Sequence, residues 1–246
     1  MKITLCLLTF NELEGCKHDI PLIQREMFDE IYAVDGGSSD GTIEYLQNQG
    51  ITVYKQPKKG LNPACRFAFE KCTTDALIFF HPKGTIPVSD TLKFRKYFNE
   101  GYELVVGSRS IKGAVNEEDT KLLKPRKWFV KALAIVASLI FKREGKMVWD
   151  VLHGFRGATV NAFKKIDPLD YGLSIDIEMV VRSYKFKIRR VEFPTTEVPR
   201  IAGETHFKAI PTGIKLLKYL YYELFTRKDK DYVELSVKKQ QLPKNI

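Results

Sequence analysis

Short apolar runs alternate with amphipathic stretches through the first part of the chain, and each run has the β-branched and aromatic make-up of a buried strand. Five runs are predicted as strands, over residues 3–8, 31–34, 51–54, 76–80 and 103–107. Four helices are predicted between them, over 21–28, 40–49, 63–71 and 89–98. Alternation of strands and helices predicts a mostly parallel sheet with right-handed crossovers, so the fold class is α/β.

The pattern changes after residue 109, where a polar stretch over 110–124 predicts a loop. An apolar helix with basic flanks is predicted over 128–141, a helix over 174–184 and an edge strand over 187–193. The segments 150–156 and 194–208 are predicted as loops. A Tyr-rich amphipathic helix follows over 210–225, and the charged residues from 226 to 246 predict a poorly ordered tail.

One stretch joins a predicted strand to a predicted helix through a turn rich in glycine and serine. The strand ends in the carboxylate of Asp35, the turn contains Gly37 and Ser38, and Asp40 is a good N-cap for the helix. Ligands of open α/β sheets bind at this edge, and helix N-termini favour phosphate. The same residues also suit an ordinary connection, because short glycine motifs are common.

The charge of the chain bears on its partners. Lys and Arg outnumber Asp and Glu by 40 to 30 in the 246 residues, which gives a net charge of +10. A polyanionic or phosphorylated partner, or an anionic membrane surface, is therefore expected. The four cysteines show no metal-ligand spacing and predict free thiols in a reducing compartment. Because the first apolar run is too short for a signal peptide and no run reaches the length of a membrane span, we expect a cytoplasmic protein.

Five short motifs occur in order along nearly the whole chain. They are Thr9-Phe10-Asn11-Glu12, the stretch 34–42, Gly107-Ser108-Arg109, Asp150 with Gly154-Phe155-Arg156, and Arg200 with Gly203-Glu204-Thr205. With these motifs the chain resembles the inverting family 2 glycosyltransferases of GT-A fold, in the dolichol-phosphate mannose synthase-like branch that acts on polyprenyl phosphates. The resemblance implies a Rossmann-like GT-A domain over 1–225, with a nucleotide-binding half over 1–109, an acceptor- and membrane-facing half over 110–225, and C-terminal amphipathic helices.

The resemblance also implies roles for individual residues. The UDP- or GDP-sugar donor would be bound by Thr9, Asn11, Glu12, Asp35, Gly37, Ser38, Asp40 and His81. The catalytic candidates are Lys83, Arg109, Asp150 and Arg200. The acceptor phosphate would be bound by Arg156, Arg200 and Thr205. Positive charge stabilises a departing diphosphate, and an acceptor phosphate that is already an anion needs positioning rather than a general base.

The chain departs from the family at the end of its fourth strand. Relatives carry D-x-D there, whose carboxylates hold Mg²⁺ or Mn²⁺, whereas this chain has His81-Pro82-Lys83. No carboxylate lies between Asp75 and Asp90, so no metal-binding residue is predicted and no cofactor is assigned, with Mg²⁺ or Mn²⁺ left open as an alternative. The ammonium of Lys83 could supply part of the missing charge. The hypothesis is therefore a metal-independent transfer.

Several partners remain open. The basic charge and the helices at 128–141 and 210–225 favour peripheral association with the cytoplasmic membrane face and a lipid-phosphate acceptor. A first alternative is a family 2 enzyme that acts on a glycan hydroxyl in surface-polysaccharide assembly. A second is a catalytically impaired nucleotide-sugar binding protein, because D-x-D is missing. Nucleic acid is not expected as a partner, since no recognition motif accompanies the charge.

Overall fold

A computed structural model describes residues 1–119, 124–202 and 209–227. The chain forms two compact units, Met1–His206 and Phe207–Ile246. The charged tail predicted over 226–246 lies outside the described residues from position 228 onward. The first unit contains the sheet and seven of the helices, and the second contains the last helix.

Seven strands form one sheet in the first unit. They are β1 (Ile3–Thr9), β2 (Glu30–Asp35), β3 (Thr52–Lys55), β4 (Ala76–Phe80), β5 (Leu104–Ser108), β6 (Arg156–Thr159) and β7 (Arg190–Pro194). Their order in the sheet is β3-β2-β1-β4-β6-β5-β7. All neighbours are parallel except β6, which pairs antiparallel with both β4 and β5. The predicted α/β fold with a mostly parallel sheet is confirmed.

Within the described residues, eight α-helices connect or follow these strands. They are α1 (Leu13–Asp19), α2 (Thr42–Asn48), α3 (Leu61–Lys71), α4 (Lys93–Asn99), α5 (Pro125–Phe141), α6 (Val160–Ile166), α7 (Ile175–Lys185) and α8 (Ala209–Phe225). Within the described ranges, none of the helices combines the length and the hydrophobicity that crossing a membrane requires.

The helix predicted over 21–28 is wrong. Helix α1 instead begins directly after β1, and two short 3-10 helices, Ile20–Leu22 and Arg25–Met27, follow it. Helix α1 ends at Asp19, whose buried carboxylate accepts a hydrogen bond from the backbone N–H of Gly84 at 2.8 Å. This long-range contact has no local sequence signal. It brings the end of α1 beside the loop that follows β4.

Strand β6 and helix α6 are absent from the sequence prediction, which ends its loop at Arg156. The strand has four residues, and a side chain at Gly157 would come within 2.9 Å of the Leu77 carbonyl and 3.1 Å of Phe94. Glycine is disfavoured in strand interiors, but the packing requires glycine at this position. Strand propensities therefore do not predict β6. Because β6 is antiparallel, its beginning lies at the carboxyl ends of β4 and β5.

The sheet has its topological switch point between β1 and β4. From β1 the chain moves to β2 and β3 on one side, and then returns to β4 on the other side. Both central strands are buried along their whole length. The carboxyl edge at such a switch point is where open α/β sheets bind ligands. The loops after β1, β2, β4 and β5 therefore meet at the expected place for a site.

Candidate active site

Asp35 organises the turn that follows β2. Its side chain is fully buried and accepts hydrogen bonds from the backbone N–H groups of Gly37 and Ser38 at 2.8 and 2.7 Å. The hydroxyl groups of Ser38 and Thr9 also donate to it, at 2.6 and 2.7 Å. Gly37 has a φ of +97°, a conformation that glycine adopts without strain. In this structure the carboxylate shapes the turn, and its predicted donor contact remains a prediction.

A second set of hydrogen bonds joins the loop after β1 to the loop after β2. The backbone N–H of Asn11 donates to the hydroxyl of Ser38 at 2.8 Å, and the side-chain oxygen of Asn11 accepts from Ser39 at 2.9 Å. Asn11 has a φ of +52°, which asparagine tolerates better than most residues. Asp40 accepts from the backbone and the hydroxyl of Thr42 at 3.0 and 2.5 Å. The two loops that the motifs assign to the donor are thus one connected cradle.

Glu12, Lys83 and Arg200 form an ion cluster beside this cradle. Glu12 is 6% exposed, and Nη2 of Arg200 donates to its two carboxylate oxygens at 2.7 and 2.6 Å. The Lys83 Nζ lies 3.7 Å from Glu12 Oε1. Burial lowers the pKa of Lys83, while the nearby Glu12 carboxylate acts in the opposite direction. Three chain segments therefore bring two cations and one carboxylate together at the switch point.

His81 occupies the first position of the missing D-x-D. Burial, followed by the charge of Lys83, holds the pKa of His81 well below its usual range, so the ring is neutral near pH 7. A Cβ on Gly154 would lie 2.8 Å from His81 Nε2, so glycine at this place lets the loop before β6 pack against the imidazole.

A divalent cation does not fit these side chains. Mg²⁺ and Mn²⁺ prefer oxygen ligands, whereas a neutral imidazole and an ammonium stand where relatives have two carboxylates. In the part of the chain that the structure describes, no group of three or more His, Cys, Asp or Glu side chains could hold a metal ion.

Arg109 is held by two carboxylates. Its Nε and Nη2 donate to Asp150 at 2.9 and 3.0 Å, and its Nη1 donates to Glu197 at 3.0 Å. Although the burial of Asp150 would raise its pKa, the Arg109 guanidinium holds that pKa well below its usual range. The ion pair fastens the end of β5 to the loop before β6. In this structure both predicted catalytic residues serve that connection.

Arg156 does not reach solvent, which contradicts its predicted contact with an acceptor phosphate. The side chain is fully buried, and Nε donates to the carbonyl of His153 at 2.7 Å. Its Nη1 donates to the carbonyl of Asp176 at 2.6 Å, and Nε lies 3.1 Å from the Asp176 carboxylate. We therefore assign Arg156 to the packing of the loop before β6 against α7. Of the other two residues predicted to bind the acceptor phosphate, Arg200 is part of the ion cluster with Glu12. Thr205 lies outside the described residues.

Residues 8–166, well over half of the chain, match the family model for glycosyl transferase family 2. The chain belongs to this family. The structure of this family 2 glycosyltransferase resembles that of glucosyl-3-phosphoglycerate synthase from Mycobacterium tuberculosis, solved with Mn²⁺, UDP and glucosyl-3-phosphoglycerate. The TM-score is 0.69 at 15% identity, over 92% of this chain and 81% of the other. The predicted GT-A fold is thereby confirmed.

Two curated proteins are similar to this glycosyltransferase in sequence. Glycosyltransferase AglJ of Haloferax volcanii is 29% identical over 226 residues, which cover 88% of this chain and 70% of the relative. Dolichol-phosphate mannosyltransferase of Pyrococcus furiosus is 25% identical over 234 residues, or 90% of this chain and 63% of the relative. The predicted family, its dolichol-phosphate mannose synthase-like character and the glycosyltransferase class are confirmed.

The sequence motifs do not predict two residues of the candidate site, Glu197 and His153. The Glu197 carboxylate compensates part of the positive charge of Arg109, yet Glu197 lies in a segment predicted only as a loop. His153 stands next to the motif glycine, and its Nδ1 lies 2.5 Å from the Gly107 carbonyl. Burial lowers the pKa of His153 to about 3, so this imidazole is uncharged at neutral pH. Neither contact has a local signal, because each partner is distant in sequence.

We expect Asp150→Asn to destabilise the folded protein, because it leaves the buried Arg109 with one carboxylate instead of two. Loss of one partner of a buried pair costs about 3 kcal/mol. The pKa of Asp150 is lowered on folding, so its contribution is present above the unfolded pKa of about 4 and is lost as the pH falls through the folded pKa. Urea unfolding at pH 7 measures the full difference between wild type and variant, and at pH 3, below the unfolded pKa, the difference should be smaller.

The matched control is Asp170→Asn, because Asp170 makes an exposed ion pair with Lys58. Exposed pairs contribute about 0–1 kcal/mol, so this variant should differ little from the wild type. Equal stability of Asp150→Asn and Asp170→Asn at pH 7 would show that the Arg109–Asp150 pair does not hold the site together.

Proposed function

We propose that this enzyme transfers a sugar, with inversion, from a UDP- or GDP-sugar to a polyprenyl phosphate at the membrane surface. The observation that carries the proposal is the exposed apolar face of α5. The name of the Pyrococcus furiosus relative, a dolichol-phosphate mannosyltransferase, supports a lipid-phosphate acceptor. UDP in the complex of the similar Mycobacterium tuberculosis enzyme supports a nucleotide-linked donor.

The apolar face of α5 consists of Trp128, Ile135, Val136 and Leu139. Trp128 is 56% exposed and Leu139 is 79% exposed, although both are large hydrophobic side chains. The opposite side of the helix is buried within the protein and includes Leu133 and Ala137. An amphipathic helix of this kind normally turns its polar side outward. Here the outward side is apolar and needs a non-aqueous partner.

Basic residues stand at both ends of this apolar face. Arg126 and Lys127 lie in the first turn of α5, where they pair with Glu117 and Asp119, and Lys142 and Arg143 follow the last residue of the helix. Apolar side chains enter the boundary between headgroups and acyl chains, while each cation near an anionic membrane contributes about 1 kcal/mol of attraction. The arrangement suits a helix that lies on a bilayer. An enzyme bound in this way would have direct access to an acceptor that resides in the membrane.

The state of the carboxylates also favours a phosphate acceptor over a glycan hydroxyl. A hydroxyl needs a general base, whereas a phosphate oxygen is already ionised near neutral pH and can attack the anomeric carbon directly. Asp35 accepts four hydrogen bonds and Asp150 is held by Arg109. Neither carboxylate is available as a base without losing its partners. Inversion follows from a single displacement at the anomeric carbon.

Lys83 is proposed to compensate the charge of the donor diphosphate in place of a metal ion. Lys83 and Arg200 carry two positive charges against one on Glu12, and His81 is neutral, so the cluster is net positive without any ion. A divalent cation at this position would be repelled by both side chains. The ammonium stabilises negative charge on the leaving group as the sugar–phosphate bond breaks.

The acceptor is tested with a labelled nucleotide sugar and polyprenyl phosphate embedded in vesicles that contain anionic phosphatidylglycerol. We expect label in the lipid extract, and we expect Leu139→Glu to lower its rate of formation by about tenfold, because a charge replaces a side chain that the bilayer buries. The matched control is Leu22→Glu, since Leu22 is 56% exposed but belongs to the short 3-10 helix Ile20–Leu22 and not to α5. Transfer to a short, water-soluble prenyl phosphate should be equal in all three proteins.

Two outcomes of this assay would contradict the proposal. Label transferred to glycan hydroxyls but never to lipid would identify the polysaccharide alternative. No transfer to either acceptor, with donor still bound, would identify a catalytically impaired binding protein. Equal rates for Leu139→Glu and Leu22→Glu on vesicles would remove α5 from the membrane interface.

Donor binding in EDTA tests the role of Lys83. We expect the wild type to bind its donor without a divalent ion, Lys83→Ala to bind about tenfold or more weakly, and Lys83→Arg to retain most of the affinity, because a charge-assisted hydrogen bond is lost only in the first variant. The lowered pKa of Lys83 implies that wild-type binding weakens as the pH rises through that pKa. In Lys83→Arg this decline should move to higher pH, which calorimetry across pH 7–11 would detect. Binding that requires Mg²⁺ or Mn²⁺ in the wild type would refute this role.

A further inference from the structure

The carboxylate of Glu12 lies between the two cations that face the proposed donor site. The family resemblance implies a contact between Glu12 and the donor, but the structure gives both of its oxygens to Arg200. We propose that Glu12 is an internal counter-ion for Lys83 and Arg200, which the diphosphate of the donor displaces, so that on donor binding Arg200 exchanges its contact with Glu12 for one with the ligand. This inference rests on the proposed donor site and names how that site is controlled.

The contact spans a large part of the first unit. Glu12 and Arg200 are 188 positions apart in sequence, and the contact joins the loop after β1 to the segment that follows β7. That segment runs along the loop after β4, where the backbone N–H of Val198 donates to the Thr85 carbonyl at 2.9 Å. The Glu12 carboxylate thus connects three loops at the switch point.

The segment around Arg200 also covers the backbone next to Lys83. A Cβ on Gly84 would come within 2.0 Å of the Ile201 side chain, and Gly84 has a φ of +67°. Ile201 therefore lies directly on Gly84, one residue after Lys83. When Arg200 is bound to Glu12, the segment is fixed over this loop.

A phosphate and a carboxylate compete for the same donors. Guanidinium and ammonium groups bind either anion through charge-assisted hydrogen bonds, and a diphosphate offers more oxygens and more charge than one carboxylate. Without the ligand, two cations at a largely buried position need a nearby negative charge, and Glu12 provides it. With the ligand, that need is met by the diphosphate. Glu12 is therefore a positioning residue that stabilises the empty site and weakens the binding of any anion to it.

Inorganic diphosphate in EDTA is the probe, because it has neither a ribose nor a sugar that Glu12 could contact. We expect Glu12→Gln to bind diphosphate about fivefold or more tightly than the wild type, since the competing charge is removed while both cations remain. Calorimetry gives the affinities, and thermal unfolding checks that the variant is folded.

Cleavage by trypsin after Arg200, followed by mass spectrometry, reports on the segment independently of affinity. We expect slow cleavage in the wild type with or without diphosphate, because Arg200 is held by Glu12 or by the ligand. Cleavage should be faster in Glu12→Gln alone, and slow again in Glu12→Gln saturated with diphosphate. Arg200→Lys serves as the second variant, because it keeps the charge but loses the planar guanidinium that contacts both oxygens of Glu12. It should also be cleaved faster, without the gain in affinity that removal of a carboxylate produces.

The inference is overturned if Glu12→Gln binds diphosphate as weakly as the wild type or more weakly, or if diphosphate leaves cleavage after Arg200 in Glu12→Gln unchanged. Absence of diphosphate binding in every protein would overturn it as well. These outcomes are separate from the lipid assay, which can fail through the acceptor alone while the diphosphate results still stand.

Discussion

Buried charge at the carboxyl edge of the sheet is compensated by side chains of the same chain, and this constraint shapes the site. Glu12 is held by Arg200 with Lys83 nearby, and Asp150 is held by Arg109. Each ion pair joins segments that are far apart in sequence. An unpaired charge in such surroundings would be costly, so the loops at this edge are stable only when they are assembled together. The geometry of the donor site is thus a consequence of charge balance.

Replacement of D-x-D by His81-Pro82-Lys83 changes the side-chain charge at the end of β4 from negative to positive. Two carboxylates beside β4 would need a divalent ion, and the ion would then bind the diphosphate. With His81 and Lys83 in their place, the cation belongs to the chain and lies 3.7 Å from a carboxylate of another loop, that of Glu12. The proposed metal-independent donor binding and the proposed role of Glu12 as a counter-ion both depend on this substitution.

The sequence predicts the parallel part of the fold well, because buried strands have a local signature and parallel strand ends meet at one edge. It does not predict β6, where Gly157 fits a narrow space, or the end of α1, where Asp19 contacts Gly84. The structure brings the motif residues to neighbouring strand ends, and their roles in a site stay predictions. The partner of each arginine could not be predicted, because Arg109 and Arg200 look alike as motif residues and differ only in their tertiary contacts.

The most direct measurement is a crystal structure of the wild-type protein with its nucleotide-sugar donor and excess Mn²⁺, with anomalous diffraction collected at the manganese edge. The lysine hypothesis predicts the ammonium of Lys83 within hydrogen-bond distance of the diphosphate and no anomalous peak next to it. A manganese peak between the diphosphate and His81 or Asp35, with Lys83 turned away, would contradict it. Such a peak would show that the family's metal-assisted chemistry persists here with different ligands.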